Sequence, residues 1–124
     1  MKVAISSTGK ELESEVDVRF GRCPYFLIVE IENKEVKNFK VIENKAAMQF
    51  GGAGMTAAQL VANEKVDAVI TRAIGPRAFS VLTQLGIEIY QGSGKIKSVI
   101  EKFIDGKLEK ITAPTGPMFT GKNI

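Results

Sequence analysis

The chain has 124 residues, 44% of them hydrophobic, with 17 Lys plus Arg against 14 Asp plus Glu and a formal net charge of +3. That length and apolar content suit a single globular domain. The mild basicity, the absence of a Lys/Arg run and aromatics not interleaved with basic residues argue against a nucleic-acid partner. The chain contains no histidine, which excludes Ser-His and Cys-His catalysis and every imidazole metal site. It holds one cysteine, which cannot close an internal disulfide, and nothing near the ~20 consecutive apolar residues that would cross a membrane.

In chain order, KVAIS (2–6) is a short apolar run that begins with no apolar leader before it, and with the unpaired cysteine it points to the reducing cytoplasm. YFLIVEIE (25–32) is a longer run. EVKNFKVIE (35–43) alternates apolar with charged residues, and only Asn33 and Lys34 separate it from the previous run, so the two predict an antiparallel hairpin. Lys37 and Lys40 would blunt that edge strand and favour a monomer.

From Gly54 the period becomes helical, with Met55, Ala58, Leu60 and Val61 on one stripe, and VDAVIT (66–71) reads as a buried strand. GPRAFSVLTQLG repeats the step, with Pro76 at a first helical position, Phe79, Leu82 and Leu85 turned inward, and Gly86 as the stop. IEIYQG (87–92) is the fifth strand. KIKSVIEKFIDG carries Ile96, Val99, Ile100, Phe103 and Ile104 on a third helix ended by Gly106. A short LEKIT segment and a Gly/Pro-rich tail, 113–124, expected to be loosely held, complete one domain, 1–124.

A three-strand meander followed by two helix-linked strands predicts a mixed five-stranded sheet in the order 3-2-1-4-5, with strand 2 antiparallel and helices on the faces. The loops 7–24, 44–54, 72–75 and 92–94 then share the rim outside the carboxyl ends of the parallel strands, the usual place for a ligand.

On that rim, Gly51, Gly52 and Gly54 precede a helix and either let backbone N–H groups approach an anion or only permit a tight helix entry. Gly52, Gly54 and Ala57 fit the spacing of a dinucleotide loop, but the strand ahead is too distant and the acidic ribose partner is missing, because strand 4 ends in Thr71 and Arg72. Arg72, near Gly75, either pairs with a ligand's negative charge or is a solvated arginine. Arg19 and Arg22 flank the approach to Cys23 and would favour its thiolate, the form that binds metal. The alternative is that Cys23 is packed as a small hydrophobe where a strand begins. Asp17 is either a rim acid or a partner for Arg19. Nuclease chemistry would need a carboxylate cluster, and Asp67, at the far end of strand 4, is the only acid on the central strands.

VDVRFGRCPYFLIVEIE, GGAGMTAAQLV, VDAVITRAIGPRAFSVLTQLGIEIY and FIDGKL, in this order from Lys2 to about Leu108, resemble the dinitrogenase iron-molybdenum cofactor biosynthesis family. The resemblance implies a ribonuclease H-like fold, a three-layer α/β/α arrangement with a mixed five-stranded sheet. It also implies binding rather than turnover, with an iron–sulfur or iron-molybdenum precursor cluster held or passed on. Arg19, Phe20, Gly21 and Cys23 match the first-loop block of the family, Gly52 and Gly54 its glycine loop, and Gly75 and Pro76 its second helix entry. Many members carry a histidine near the glycine loop, where this chain reads AAMQFGG.

The leading expectation is a small cytoplasmic, nitrogen fixation-related binding protein, not an enzyme. Cys23 would be its metal ligand, with Arg19, Arg22, Arg72, Gly51, Gly52, Gly54 and Gly75 around the cluster and a cluster-donor or acceptor protein as partner. The alternative is a metal-free scaffold that uses the same rim for a small anion or a partner protein.

Overall fold

A computed structural model describes residues 1–115. Continuous apolar runs buried on both faces build the strands β1 (Lys2–Ser7) and β2 (Tyr25–Glu32), and an alternating run builds β3 (Glu35–Glu43). Helix α1 (Ala53–Asn63), strand β4 (Ala68–Thr71), helix α2 (Pro76–Gln84), strand β5 (Glu88–Gln91), helix α3 (Ile96–Ile104) and strand β6 (Glu109–Lys110) follow.

The sheet order is β3-β2-β1-β4-β5-β6, with β1, β4 and β5 parallel and β2 and β6 antiparallel to their neighbours. Five of the strands and their order match the sequence reading; β6 is the correction. It forms from the LEKIT segment because β5 would otherwise present unpaired edge groups, and Ile111 N–H donates to Ile89 O at 2.7 Å.

The period of two in each strand divides the core. Ala4, Phe26, Ile28, Val69 and Ile89 face α1 and α2, whereas Val3, Ile5, Leu27, Val29, Ala68 and Ile70 face α3. Two expected inward residues are corrected: Met55 and Leu85 are exposed, at 45% and 55%, because Ala57 and Ala58 hold α1 against the sheet and Leu82 does so for α2.

The hairpin turn Asn33–Lys34 has positive φ at both residues, 54° and 63°, as a two-residue turn between twisted strands requires. Lys40, on edge strand β3, reaches Glu64 at 2.7 Å and so ties β3 to the end of α1. Of the tail, Thr115 is anchored: its N–H donates to Ile74 O at 2.8 Å, and its hydroxyl accepts from Ile74 N–H at 3.2 Å. The rest of that segment, 116–124, lies outside the described residues. Among the described residues no helix is long and apolar enough to cross a membrane.

Candidate functional site

The first loop reaches the site by zipping onto the strand ends. Asp17 N–H donates to Ser6 O at 2.9 Å, Ala73 N–H to Val18 O at 3.0 Å and Phe20 N–H to Ala73 O at 3.3 Å, so residues 16–20 extend the sheet beyond β1 and β4. The loop then lies against the first turn of α1. A Cβ on Gly21 would stand 3.0 Å from both Cα and N of Gly54, so the first loop comes this close to the α1 backbone only because residue 21 has no side chain.

This juxtaposition leaves a cleft of about 580 Å³ between the first loop and the starts of α1 and α2, within the usual size range of small-ligand sites. Its lining is Val18, Arg19, Phe20, Gly21, Arg22, Gly52, Ala53, Gly54, Met55, Ala73, Gly75, Pro76, Arg77 and Ala78. Three arginines and no carboxylate stand in that set. Gly52, at φ 72°, opens α1, and Gly75, extended, opens α2 with Pro76 in the first turn. Neither start has a side-chain cap or an acidic residue in its first turn, so the amides that every helix start leaves unsatisfied remain free to bind an anion.

Around the cleft, the arginines do different work. Arg19 is 60% exposed and its Nε stands 3.6 Å from Asp17 Oδ1, which also accepts Arg19 N–H at 2.9 Å. Asp17 is thus the loop-fixing partner. Arg22 donates to Ala47 O at 3.1 Å and Gln49 O at 2.6 Å, so its main role is to clamp the 44–50 segment onto the first loop.

Cys23, the expected metal ligand, is placed away from the cleft. It has no exposed surface, it is not part of the cleft wall, and its thiol donates to Phe20 O at 3.4 Å. Burial, reinforced by the negative charge of Asp17, pushes its pKa up to about 12, against an ordinary value of 9.0. The nearby arginines do not produce a thiolate: Arg22 is committed to carbonyls, and the nearer charge is an acid. Asn44 completes the packing, donating to Cys23 O at 2.8 Å and Gly21 O at 3.1 Å, so the cysteine is a packed strand-entry residue. Among the described residues, no group of three or more His, Cys, Asp or Glu is placed to hold a metal ion.

The structure therefore brings Arg19, Arg22, Gly52, Gly54 and Gly75 together at one cleft. Gly51 is exposed and does not line it. Arg72 is at the same rim but on the other side of the sheet, beside Gln91, Gly92 and Lys102, because successive residues leaving a strand point to opposite faces and it is Ala73 that faces the cleft. Sequence reasoning missed Arg77, Met55 and Val18. The signal for Arg77 was its place directly after Pro76 in a helix entry already identified.

The family described as dinitrogenase iron-molybdenum cofactor matches residues 1–106. An uncharacterized protein of Methanocaldococcus jannaschii is 46% identical over 111 residues, covering 89% of this chain and 91% of that protein. The apo form of the orange protein from Desulfovibrio gigas is similar in structure, with a TM-score of 0.84 at 27% identity over 93% of this chain and 96% of its own. A Thermotoga protein solved as a candidate NifB protein has a TM-score of 0.78 at 33% identity, over 94% of this chain and 97% of its own.

Proposed function

The chain belongs to the dinitrogenase iron-molybdenum cofactor family, and from that premise we propose that it is a carrier that holds an anionic metallocluster in the cleft between α1 and α2. The cluster is cargo and is not converted. The ribonuclease H-like label implied by the resemblance belongs to the same reading.

One observation carries the reading: two uncapped helix starts converge on a cleft that contains three arginines and no carboxylate. Such a site neutralises a negatively charged body through amide N–H groups and guanidinium groups without bonding to its metal. With Cys23 buried and protonated, the metal's own ligands come with the cluster, as sulfide, or from a donor or acceptor protein. The apolar part of the lining, Val18, Phe20, Met55 and Ala78, suits a body that presents sulfur faces as well as charge.

The test is anaerobic titration with a soluble thiolate-capped iron–sulfur cluster, followed by visible absorbance and by the amide shifts of residues 52–55 and 77–78. Arg19→Ala and Arg77→Ala are each expected to weaken binding roughly threefold to tenfold, the range for a partly solvated charge contact. Cys23→Ala should bind as well as wild type. Loss of binding in a folded Cys23→Ala variant would overturn the outer-contact reading and restore the thiolate.

A second reading, a metal-free module that docks a partner protein at this rim, is favoured by Met48 and Phe50. They are 93% and 106% exposed on the segment that Arg22 clamps beside the cleft. Under that reading the cluster titration gives no saturable signal with any variant.

A further inference from the structure

We propose a second anion site on the opposite side of the same rim, where Arg72, Lys102 and Lys107 line a cleft of about 320 Å³ with Ser93 and Glu109, and that it takes a small multivalent oxyanion of the phosphate class. Three different parts of the chain deliver the cations. Arg72 leaves β4, Lys102 is on the last turn of α3, and Lys107 follows the turn at Gly106 that ends α3. Among the described residues, none of the three makes an ion pair. The one carboxylate on the wall, Glu109, leaves a surplus of two positive charges in the lining.

Like charges converging in one cleft repel each other, a cost that a bound anion removes. The cleft floor is built to be close-fitting. A Cβ on Gly92 would lie 2.8 Å from Ile70 Cγ2 and from Val99 Cγ1, so the backbone there rests directly on the core and the chain at Ser93 is brought in to the cation cluster. Gly92 N–H is used by Thr71 O at 3.1 Å, whereas the next amide, Ser93 N–H, makes no backbone hydrogen bond among the described residues. At the end of α3, Lys107 N–H donates to Lys102 O at 2.8 Å and Gly106 N–H to Phe103 O at 3.1 Å, so these two carbonyls are already occupied and Lys102 and Lys107 are held on adjacent turns of one cap. A guanidinium, two ammonium groups and a free amide are the donor set that phosphate-type oxygens need. The volume admits a diphosphate as readily as a single tetrahedral ion.

The test is an amide-resolved NMR titration of the full chain with orthophosphate and pyrophosphate at low ionic strength, with chloride at matched ionic strength as control. Saturable shifts at residues 72, 92, 93, 102 and 107, tighter for pyrophosphate, are expected. Arg72→Ala and Lys102→Ala should each weaken binding by roughly threefold to tenfold, and Glu109→Gln should tighten it by about threefold, magnitudes set by single partly solvated charges. Circular dichroism checks that these surface variants fold. Non-saturating shifts, an equal response to chloride, or shifts confined to 19–22, 52–55 and 77–78 would overturn the proposal. So would saturable binding of an acidic peptide without any response to either phosphate, which would make the cleft a protein-docking surface.

Discussion

Gly54→Ala separates the stability of α1 from its use. Gly54 has ordinary helical backbone geometry in the first turn, and an added Cβ would lie 3.5 Å from Ala78 Cβ and 3.9 Å from Ala78 N. Both are normal van der Waals distances, so the methyl group fits without displacing anything. Replacing a helical glycine by alanine stabilises by about 0.5–1 kcal/mol, and a partly buried methyl adds a fraction of the ~0.8 kcal/mol of full burial. The sum, about 1 kcal/mol, raises the Tm by roughly 4–5 °C in a domain of this size. The same methyl lies over the Ala78 amide, one of the donors that α2 offers to the cleft. Losing one hydrogen bond to a charged group costs about 1.5–3 kcal/mol, so cluster affinity should fall tenfold or more. Urea denaturation, with an unchanged m-value, reads the first effect, and the absorbance titration reads the second. A variant that is destabilised, or one that is stabilised and binds as wild type, would refute the placement of the cluster between the two helix starts. Gly52→Ala provides the contrast: at φ 72° it places a side chain in left-handed backbone and should lose about 1–2 kcal/mol.

Three further outcomes follow from Cys23 and Lys34. Because the Cys23 pKa lies above its unfolded value, its contribution to stability is complete below about pH 9 and declines as pH rises toward 12, by at most about 1.4 kcal/mol per pH unit. Cys23→Ala should remove that part of the alkaline loss of stability, measured as the denaturation midpoint from pH 8 upward; an identical pH profile in the variant would contradict it. The same burial makes the thiol unreactive toward an aromatic disulfide at pH 8 until the chain opens, and rapid stoichiometric labelling of the native protein would refute it. Lys34→Gly should stabilise by about 1 kcal/mol, since Lys34 occupies φ 63° at the second position of a turn that favours glycine. Thermal melts check this, and a lower Tm would show that the lysine is not strained.

The strands, the helices and the shared rim were legible because they rest on periodicity and turn chemistry: Asn33–Lys34 could only close a tight hairpin, and Gly54, Gly75 and Gly86 punctuate the helices. β6 was not legible, since two residues carry no period and their pairing is decided by the free edge of β5. The fate of Cys23 was hidden for a different reason. Neighbours in sequence suggested that Arg22 would sit beside the thiol, but the guanidinium turns to carbonyls of the 44–50 segment, while Asp17, six residues upstream, supplies the nearby charge.

Arg72 and Ala73 show how the fold distributes charge that the composition only sums. They are consecutive at the exit of β4, and the strand period sends the arginine to the α3 side and the alanine to the cleft between α1 and α2. The two sides of the rim consequently differ in the chemistry they offer. On the α3 side the positive groups are side chains, Arg72, Lys102 and Lys107, whose identity sets the affinity and whose replacement removes it one charge at a time. On the other side much of the positive potential is backbone, the first-turn amides of α1 and α2, and arginines only supplement it. Backbone donors are indifferent to most substitutions and sensitive to anything that puts bulk over them. That is the physical reason the candidate site is marked in the sequence by Gly21, Gly52, Gly54 and Gly75 and not by ligating side chains. It is also why a single methyl at Gly54 is expected to weaken binding at least as much as the loss of an arginine.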